Sequence, residues 1–289
     1  MAEDQSTQKA PRKGRAKIAY QGEPGAYSEI ACLEFAPDFE PTPCGTFEEA
    51  LEATFTGAAE RAMLPIENSL AGRVGDLHHL LPRSELHIIA EHFLSIRHQL
   101  LGLPDATLDD VKIVRSHAMA LGQCGQSLRA LGIKTEMAGD TAGAAHRLAT
   151  SGERTAGAVA SRRAAELYGL KILKENIEDA GHNTTRFLQM AREPMDAAQS
   201  DGPTVTSFIF QVRNIPAALY KALGGFATNG VNLTKLESYQ LDGSFTATMF
   251  YADADGHPED PAMRNALEEL SFFSARLRVL GVYRSARQR

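Results

Sequence analysis

Between residues 16 and 169 short apolar runs and helix-patterned stretches take turns, and that alternation leaves few folds open. The runs AKIAYQG (16–22), RAMLPI (61–66), VKIV (111–114), IKTEMAG (133–139) and AGAVA (156–160) read as strands. TFEEALEATFTG (46–57) reads as a helix, with Thr46 and Glu49 spaced as a capping box and Phe47, Ala50, Leu51 and Phe55 on one face. A stripe of Leu121, Cys124, Leu128 and Leu131 before Gly132 predicts another. TAGAAHRLAT (141–150) and RRAAELYG (162–169), the latter closed by Gly169, predict two more. Such alternation predicts an α/β region on a mostly parallel sheet.

The pattern stops at AREPMDAAQSDGP (191–203), which has Pro, Gly and charges without periodicity and reads as a linker. Beyond it, strand TVTSFIFQV (204–212), helix PAALYKALGGFATNG (216–230), a hairpin of VNLTKLESYQ (231–240) and SFTATMFYAD (244–253), helix EDPAMRNALEEL (259–270) and strand ARLRVLGVY (275–283) follow in order. That is βαββαβ, the ferredoxin-like arrangement. Residues 1–16 are polar and charged and predict a disordered tail.

Composition removes several function classes. A net charge of -6 with no interior basic patch argues against a nucleic-acid partner. No apolar run approaches a membrane span, and the N-terminus has no apolar signal core but carries Glu3 and Asp4. Cys32, Cys44 and Cys124 lack metal-ligand spacing and fit reduced thiols in a cytoplasm. The histidines show no spacing for a metal site, and no cofactor motif stands out: GEPGAYS (22–28) lacks the Lys-Ser/Thr of a phosphate loop.

Polar residues gather after the strands: Glu67-Asn68-Ser69, Ser116-His117, Asp140-Thr141 and Ser161. In α/β sheets this end carries the ligand, and helix N-termini there favour anions. Thr46, Ser116, Thr141 and Ser161 also suit plain helix N-caps, whereas an acid, an amide and a hydroxyl at 67–69 exceed what a cap requires. Arg186 stands between hydroxyls and the apolar FLQM; its charge needs an anion, either a ligand carboxylate or an ion pair with Glu178 or Asp179.

GEPGAYSEIA, PIENSLAGRV, SHAMALGQC, DTAGAA, NIED and NTTRF together, in this order, resemble prephenate dehydratase over most of 17–190. NIPAALYKALGGFATNGVNLTKLES resembles an ACT regulatory domain. The resemblance implies a catalytic region at 17–190 of two periplasmic-binding-protein-like lobes, about 17–95 with 176–190 and about 96–175, then the linker at 191–203 and an ACT domain at 204–285. The short stretch before residue 17 leaves no room in the chain for a chorismate mutase, so the likeness is to the monofunctional form.

The activity implied is a carbon–oxygen lyase that converts prephenate to phenylpyruvate for phenylalanine synthesis, without cofactor or metal, in a cytoplasmic homodimer or homotetramer. It implies a catalytic role for Thr185 and substrate binding by Arg186; as a stronger acid than a threonine, Glu67 is the second catalytic candidate, and Asn68, Ser69, Ser116, Thr141, Ser161 and Phe187 are expected against the substrate. It also implies phenylalanine as effector at Asn214, Ala217, Ala218, Leu219, Asn232, Leu233, Glu237 and Ser238. That second segment departs from the family: Ala217 stands where Gly is usual, and Tyr239-Gln240 replace Arg-Pro. The competing readings are arogenate dehydratase and a non-catalytic amino-acid sensor.

Overall fold

The computed structural model describes residues 15–213, 215–240 and 247–286. The chain runs through β1 (Lys17–Gln21), α1 (Tyr27–Phe35), β2 (Glu40–Cys44), α2 (Phe47–Phe55), β3 (Arg61–Asn68), β4 (Gly72–Arg73), α3 (Gly75–Leu80) and β5 (His87–Ser95). It crosses to a second lobe of β6 (Gln99–Gly102), β7 (Ile113–Ser116), α4 (Ala118–Gln123), α5 (Gly125–Ala130), β8 (Lys134–Met137), α6 (Thr141–Ser151), β9 (Ala156–Ala160), α7 (Arg162–Tyr168) and β10 (Lys171–Lys174). It then returns to the first lobe as β11 (Thr184–Ala191).

The first sheet has the order β2-β1-β3-β11-β5, with β4 on β3, and the second β10-β6-β9-β7-β8. Both are mixed, not mostly parallel. β1 runs parallel to β2 and β3, and β7 to β8 and β9. β11 is antiparallel to β3 and β5, and β6 to β9 and β10. The reason is the double crossing between lobes, which brings the returning strand in against its neighbours' direction.

Local chemistry explains the elements. β9 is a continuous small-apolar run buried along its whole length, as a strand covered on both faces must be. Thr46 Oγ1 accepts from Glu49 N at 3.1 Å, and Glu49 Oε2 accepts from Gly45 N at 2.7 Å, which caps α2. β2 carries Pro41 and Pro43, which confine it to a sheet edge and hide it from pattern reading. The single helix expected over 121–131 is broken at Cys124, and Asp179 caps the second half by accepting from Gln126 N at 2.8 Å and Ser127 N at 3.0 Å.

The C-terminal unit is β12 (Thr204–Val212), α8 (Ala218–Thr228), β13 (Leu233–Gln240), β14 (Ala247–Asp255), α9 (Pro261–Phe273) and β15 (Ser274–Arg284), with sheet order β13-β14-β12-β15. One sheet face packs on α8 and α9 through Phe208, Phe210, Phe226 and Leu270. The other face shares a core with the first lobe: Ile209, Tyr239, Tyr251 and Leu280 pack with Leu77, Leu81, Ile88 and Leu188. Gly281 makes this possible, because a Cβ there would lie 1.9 Å from Ile88 O on β5. Arg278 donates to Leu86 O at 3.2 Å beside it.

Candidate active site

β3 and β11 are neighbours, with Thr185 opposite Asn68 and Arg186 opposite Glu67. Alternation along a strand sends consecutive side chains to opposite faces. Asn68, Thr185 and Phe187 therefore line a cleft of about 470 Å³ between the lobes, joined by Pro65 through a register shift, and the far wall includes His117, Gln123 and Thr141. Glu67 and Arg186 point the other way, toward the C-terminal sheet. A β-bulge follows the Arg186–Glu67 pair: Phe187 pairs with Pro65, which leaves Ile66 extra.

Within the cleft one hydrogen-bond chain joins the lobes. Asn68 Nδ2 donates to Thr185 Oγ1 at 3.0 Å and to Asn183 Oδ1 at 2.7 Å. Asn68 Oδ1 accepts from Leu70 N at 3.0 Å and Ala71 N at 2.9 Å, which fixes the amide's orientation. From the second lobe, Gln123 Nε2 reaches Asn68 Oδ1 at 3.4 Å, and Gln123 Oε1 accepts from Asn183 Nδ2 at 2.9 Å. His98 Nε2 lies 2.9 Å from Gln123 Oε1 and Nδ1 2.8 Å from Tyr27 OH. These partners assign the proton to Nε2, with Tyr27 donating to Nδ1. Burial pushes the imidazole below its ordinary value, against the opposing pull of Gln123 and Glu178, so His98 is neutral and holds position.

The consequence for Thr185 is chemical. Its oxygen accepts from an amide, so its own proton is free to be donated into the cleft. The lining includes first-turn residues of α1, Tyr27 and Ser28, and of α6, Thr141, whose backbone N–H groups have no acceptor within their helix. No Lys or Arg is among the described residues lining the cleft. Phe47, Val74, Ile96 and Phe187 make the rest of it apolar. Among the described residues no group of three or more His, Cys, Asp or Glu is placed to hold a metal ion.

A family model described as prephenate dehydratase matches residues 18–195, more than half of the chain. The chain belongs to the prephenate dehydratase family. A bifunctional N-acyl-homoserine lactone acylase/prephenate dehydratase of Komagataeibacter europaeus is 50% identical over 270 residues, covering 93% of this chain and 96% of the relative. Arogenate dehydratase/prephenate dehydratase 1, chloroplastic, of Arabidopsis thaliana is 42% identical, covering 93% of this chain and 72% of that one. The crystal structure of a prephenate dehydratase from Arthrobacter aurescens in complex with L-Phe superposes with a TM-score of 0.86 at 30% identity, over 94% of this chain and 90% of that one.

This prephenate dehydratase-family cleft gathers part of the expected set. Asn68, Thr141, Thr185 and Phe187 line it. Arg186 does not face it: the side chain is buried behind β11, where Glu91, Asp253, Glu67 and Tyr283 take its donors. Its ion-pair partners are thus neither Glu178 nor Asp179; Glu178 instead pairs with Arg97 at 2.9 Å. Glu67 faces the same way, 3.1 Å from Arg186 Nη1 and 2.5 Å from Lys235 Nζ. Burial raises its carboxyl, but Lys235 and Arg186 outweigh this and hold it below the ordinary 4.5, which is the wrong direction for a proton donor.

The three serines are also committed elsewhere. Ser69 Oγ donates to His182 O at 2.8 Å and accepts from Thr184 N at 3.0 Å. Ser116 Oγ donates to Val159 O at 2.6 Å; His117, not Ser116, is the N-cap of α4. Ser161 caps α7 and donates to Gly25 O at 2.6 Å, fastening the GEPGAYS loop of one lobe to the other. Gly25 has φ +91° there, and a Cβ would lie 2.9 Å from Ala164 Cα.

Of the expected effector residues, Asn214 lies outside the described residues. Ala217 adopts φ +59°, a left-handed conformation that glycine takes without strain. Ala218 and Leu219 on α8 and Leu233 on β13 pack into the core between the helices and the sheet, and Asn232 Nδ2 donates to Asp255 Oδ2 at 2.9 Å. Ser238 is exposed. Glu237 instead turns to the first lobe, 3.5 Å from Arg73 and 3.3 Å from Lys235.

Sequence reasoning left out Gln123, His98 and Tyr27. Gln123 stands inside the quoted SHAMALGQC stretch, so a signal existed. His98 and Tyr27 meet across 71 residues, which no local spacing shows.

Proposed function

We propose that the protein is a prephenate dehydratase, carrying out the decarboxylating dehydration of prephenate to phenylpyruvate. Prephenate loses its ring hydroxyl as water and its ring carboxylate as carbon dioxide; the electron pair of the breaking C–C bond enters the ring as it becomes aromatic. The protein must hold the pyruvyl carboxylate, steer a proton to the leaving oxygen and strip water from the departing carboxylate.

The observation that carries this reading is the Asn68 amide donating to Oγ1 of Thr185, a residue of the cleft lining, which leaves the Thr185 hydroxyl able to donate to substrate. Thr185 stabilises the departing oxygen by hydrogen bonding. Full proton transfer from an alcohol to it is too unfavourable to be the whole step. First-turn N–H groups of α1 and α6 take the pyruvyl carboxylate, the role expected of Arg186 from its sequence setting. The apolar wall at Phe47, Val74 and Phe187 favours release of a neutral gas over a charged carboxylate.

Asp140 supports a second reading. Its carboxylate lines the cleft while accepting from Gly143 N at 2.6 Å, and it suits the ammonium of arogenate in place of the keto group of prephenate. An amide-cleaving activity is less well served, since the side chain on Thr185 Oγ1 is the Asn68 amide, which cannot act as the base that takes a nucleophile's proton.

The βαββαβ unit acts as an ACT domain that binds phenylalanine around 217–219 and 232–233 and feeds back on turnover, in a homo-oligomer of the cytoplasm. The test is incubation with prephenate and, separately, arogenate, following phenylpyruvate by ultraviolet absorbance and phenylalanine by chromatography. Turnover of neither substrate leaves the amino-acid sensor and removes this reading.

A further inference from the structure

A second polar cluster lies behind the cleft, where the first sheet meets the C-terminal sheet. Arg186 is its centre and is 2% exposed. Its Nε is 2.8 Å from Glu91 on β5, its Nη1 is 2.6 Å from Asp253 on β14, and its Nη2 is 3.0 Å from Tyr283 OH on β15. Asp253 is held in turn by Ser207 Oγ at 2.5 Å. Lys235 on β13 reaches the other oxygen of Glu67, 2.5 Å away.

Each first-lobe member of this cluster next to the bulge is the chain neighbour of a cleft residue: Glu67 of Asn68, Arg186 of Thr185. The pair sits where the β3/β11 register slips by one residue, so the regular pairing of the two strands is interrupted there. A buried ion pair is poor evidence of stability, but fixing register is its best-attested use. Here it locks the strands one residue from the Asn68–Thr185 contact, and four of the groups completing it, Lys235, Asp253, Tyr283 and Ser207, belong to the C-terminal unit.

We propose that Lys235 and Asp253 are positioning residues for the cleft: through Glu67 and Arg186 they set the β3/β11 register that aims Asn68 at Thr185. A displacement of β13 or β14 then reaches the cleft without touching substrate. The proposal rests on the reading of Thr185 as the hydroxyl donor.

The test uses the full chain carrying Lys235→Met, Asp253→Asn, Lys235→Met with Glu67→Gln, and Thr185→Val, with kcat and KM measured well below each melting point. Lys235→Met and Asp253→Asn are expected to lower kcat about tenfold with KM changed less than about twofold. Adding Glu67→Gln to Lys235→Met removes the same link a second time and is expected to leave kcat within about threefold of Lys235→Met alone. Turnover within about twofold of the unaltered protein in either folded single variant, whatever its melting point, overturns the proposal, as does a double variant more than about tenfold slower than Lys235→Met. If Asp253→Asn does not fold, Lys235→Met decides, because Lys235 sits at the cluster's edge. Should Thr185→Val keep full turnover, the reading of the cleft itself has failed; should it lose turnover while Lys235→Met keeps it, only the present inference has.

Discussion

Replacing Arg186 by Met separates a structural guanidinium from one that holds substrate. Met keeps an unbranched stem of similar length and removes the charge. What remains is Glu91 and Asp253, whose side chains are each 0% exposed, with their shared cation gone. Breaking a buried pair in this way costs about 3–5 kcal/mol. For a chain of 289 residues the unfolding entropy at the midpoint is on the order of 0.6 kcal/mol per kelvin, so the melting temperature should fall by about 5–8 °C.

Asp253→Asn in the same chain should return part of the lost stability by removing one of the stranded charges. Circular dichroism melts read both effects, alongside steady-state kinetics. A variant that melts within about 1 °C of the unaltered protein yet raises KM about 100-fold refutes the reasoning, because the guanidinium would then be serving substrate.

Thr185→Val removes the donor at nearly constant volume and should lower kcat about 10²–10³-fold, while Thr185→Ser stays within about tenfold; equal rates for Val and the unaltered protein would exclude Thr185 from the step. Gly25→Ala meets both a left-handed backbone and Ala164 Cα at 2.9 Å, so it should destabilise by about 1–3 kcal/mol in a denaturant melt, and no change would mean the loop is not clamped as described. Ala217→Gly relieves a non-glycine φ of +59° and should stabilise by about 0.5–1 kcal/mol on the same measure; a loss instead shows that the methyl packs usefully. Glu67 has its folded pKa depressed below 4.5, so its contribution to stability is whole above the unfolded pKa and lost as pH falls through the folded one. Glu67→Gln should accordingly be less sensitive to acid below pH 4.5 than the unaltered protein, and an unchanged acid transition would show that the Lys235 contact adds nothing.

Much of the architecture was legible because it is written in local pattern. The βαββαβ order of the C-terminal unit follows from apolar alternation and turn residues, and Thr46, Ser161 and Gly169 mark helix ends through chemistry that acts within a few residues. β11 was visible only as a buried run, and its antiparallel entry between β3 and β5 was not, because strand direction is set by partners more than 90 residues away in sequence, as the Arg186–Glu91 contact at a separation of 95 shows.

From residues alone, Glu67-Asn68-Ser69 holds more polar groups than a cap requires and Arg186 needs an anion, which predicts that both stretches face a ligand. Only the tertiary structure decided how those groups divide. Alternation guarantees that Asn68 and Glu67, or Thr185 and Arg186, look opposite ways, but not which way each looks. In a sheet with one wet face, polarity would settle it. Here both faces of β3 and β11 are covered, one by the cleft and the other by the C-terminal sheet, and both coverings are polar at this point. A carboxylate-binding arginine and a structural one read identically until the partner carboxylates, from β5, β3 and β14, are brought together around it.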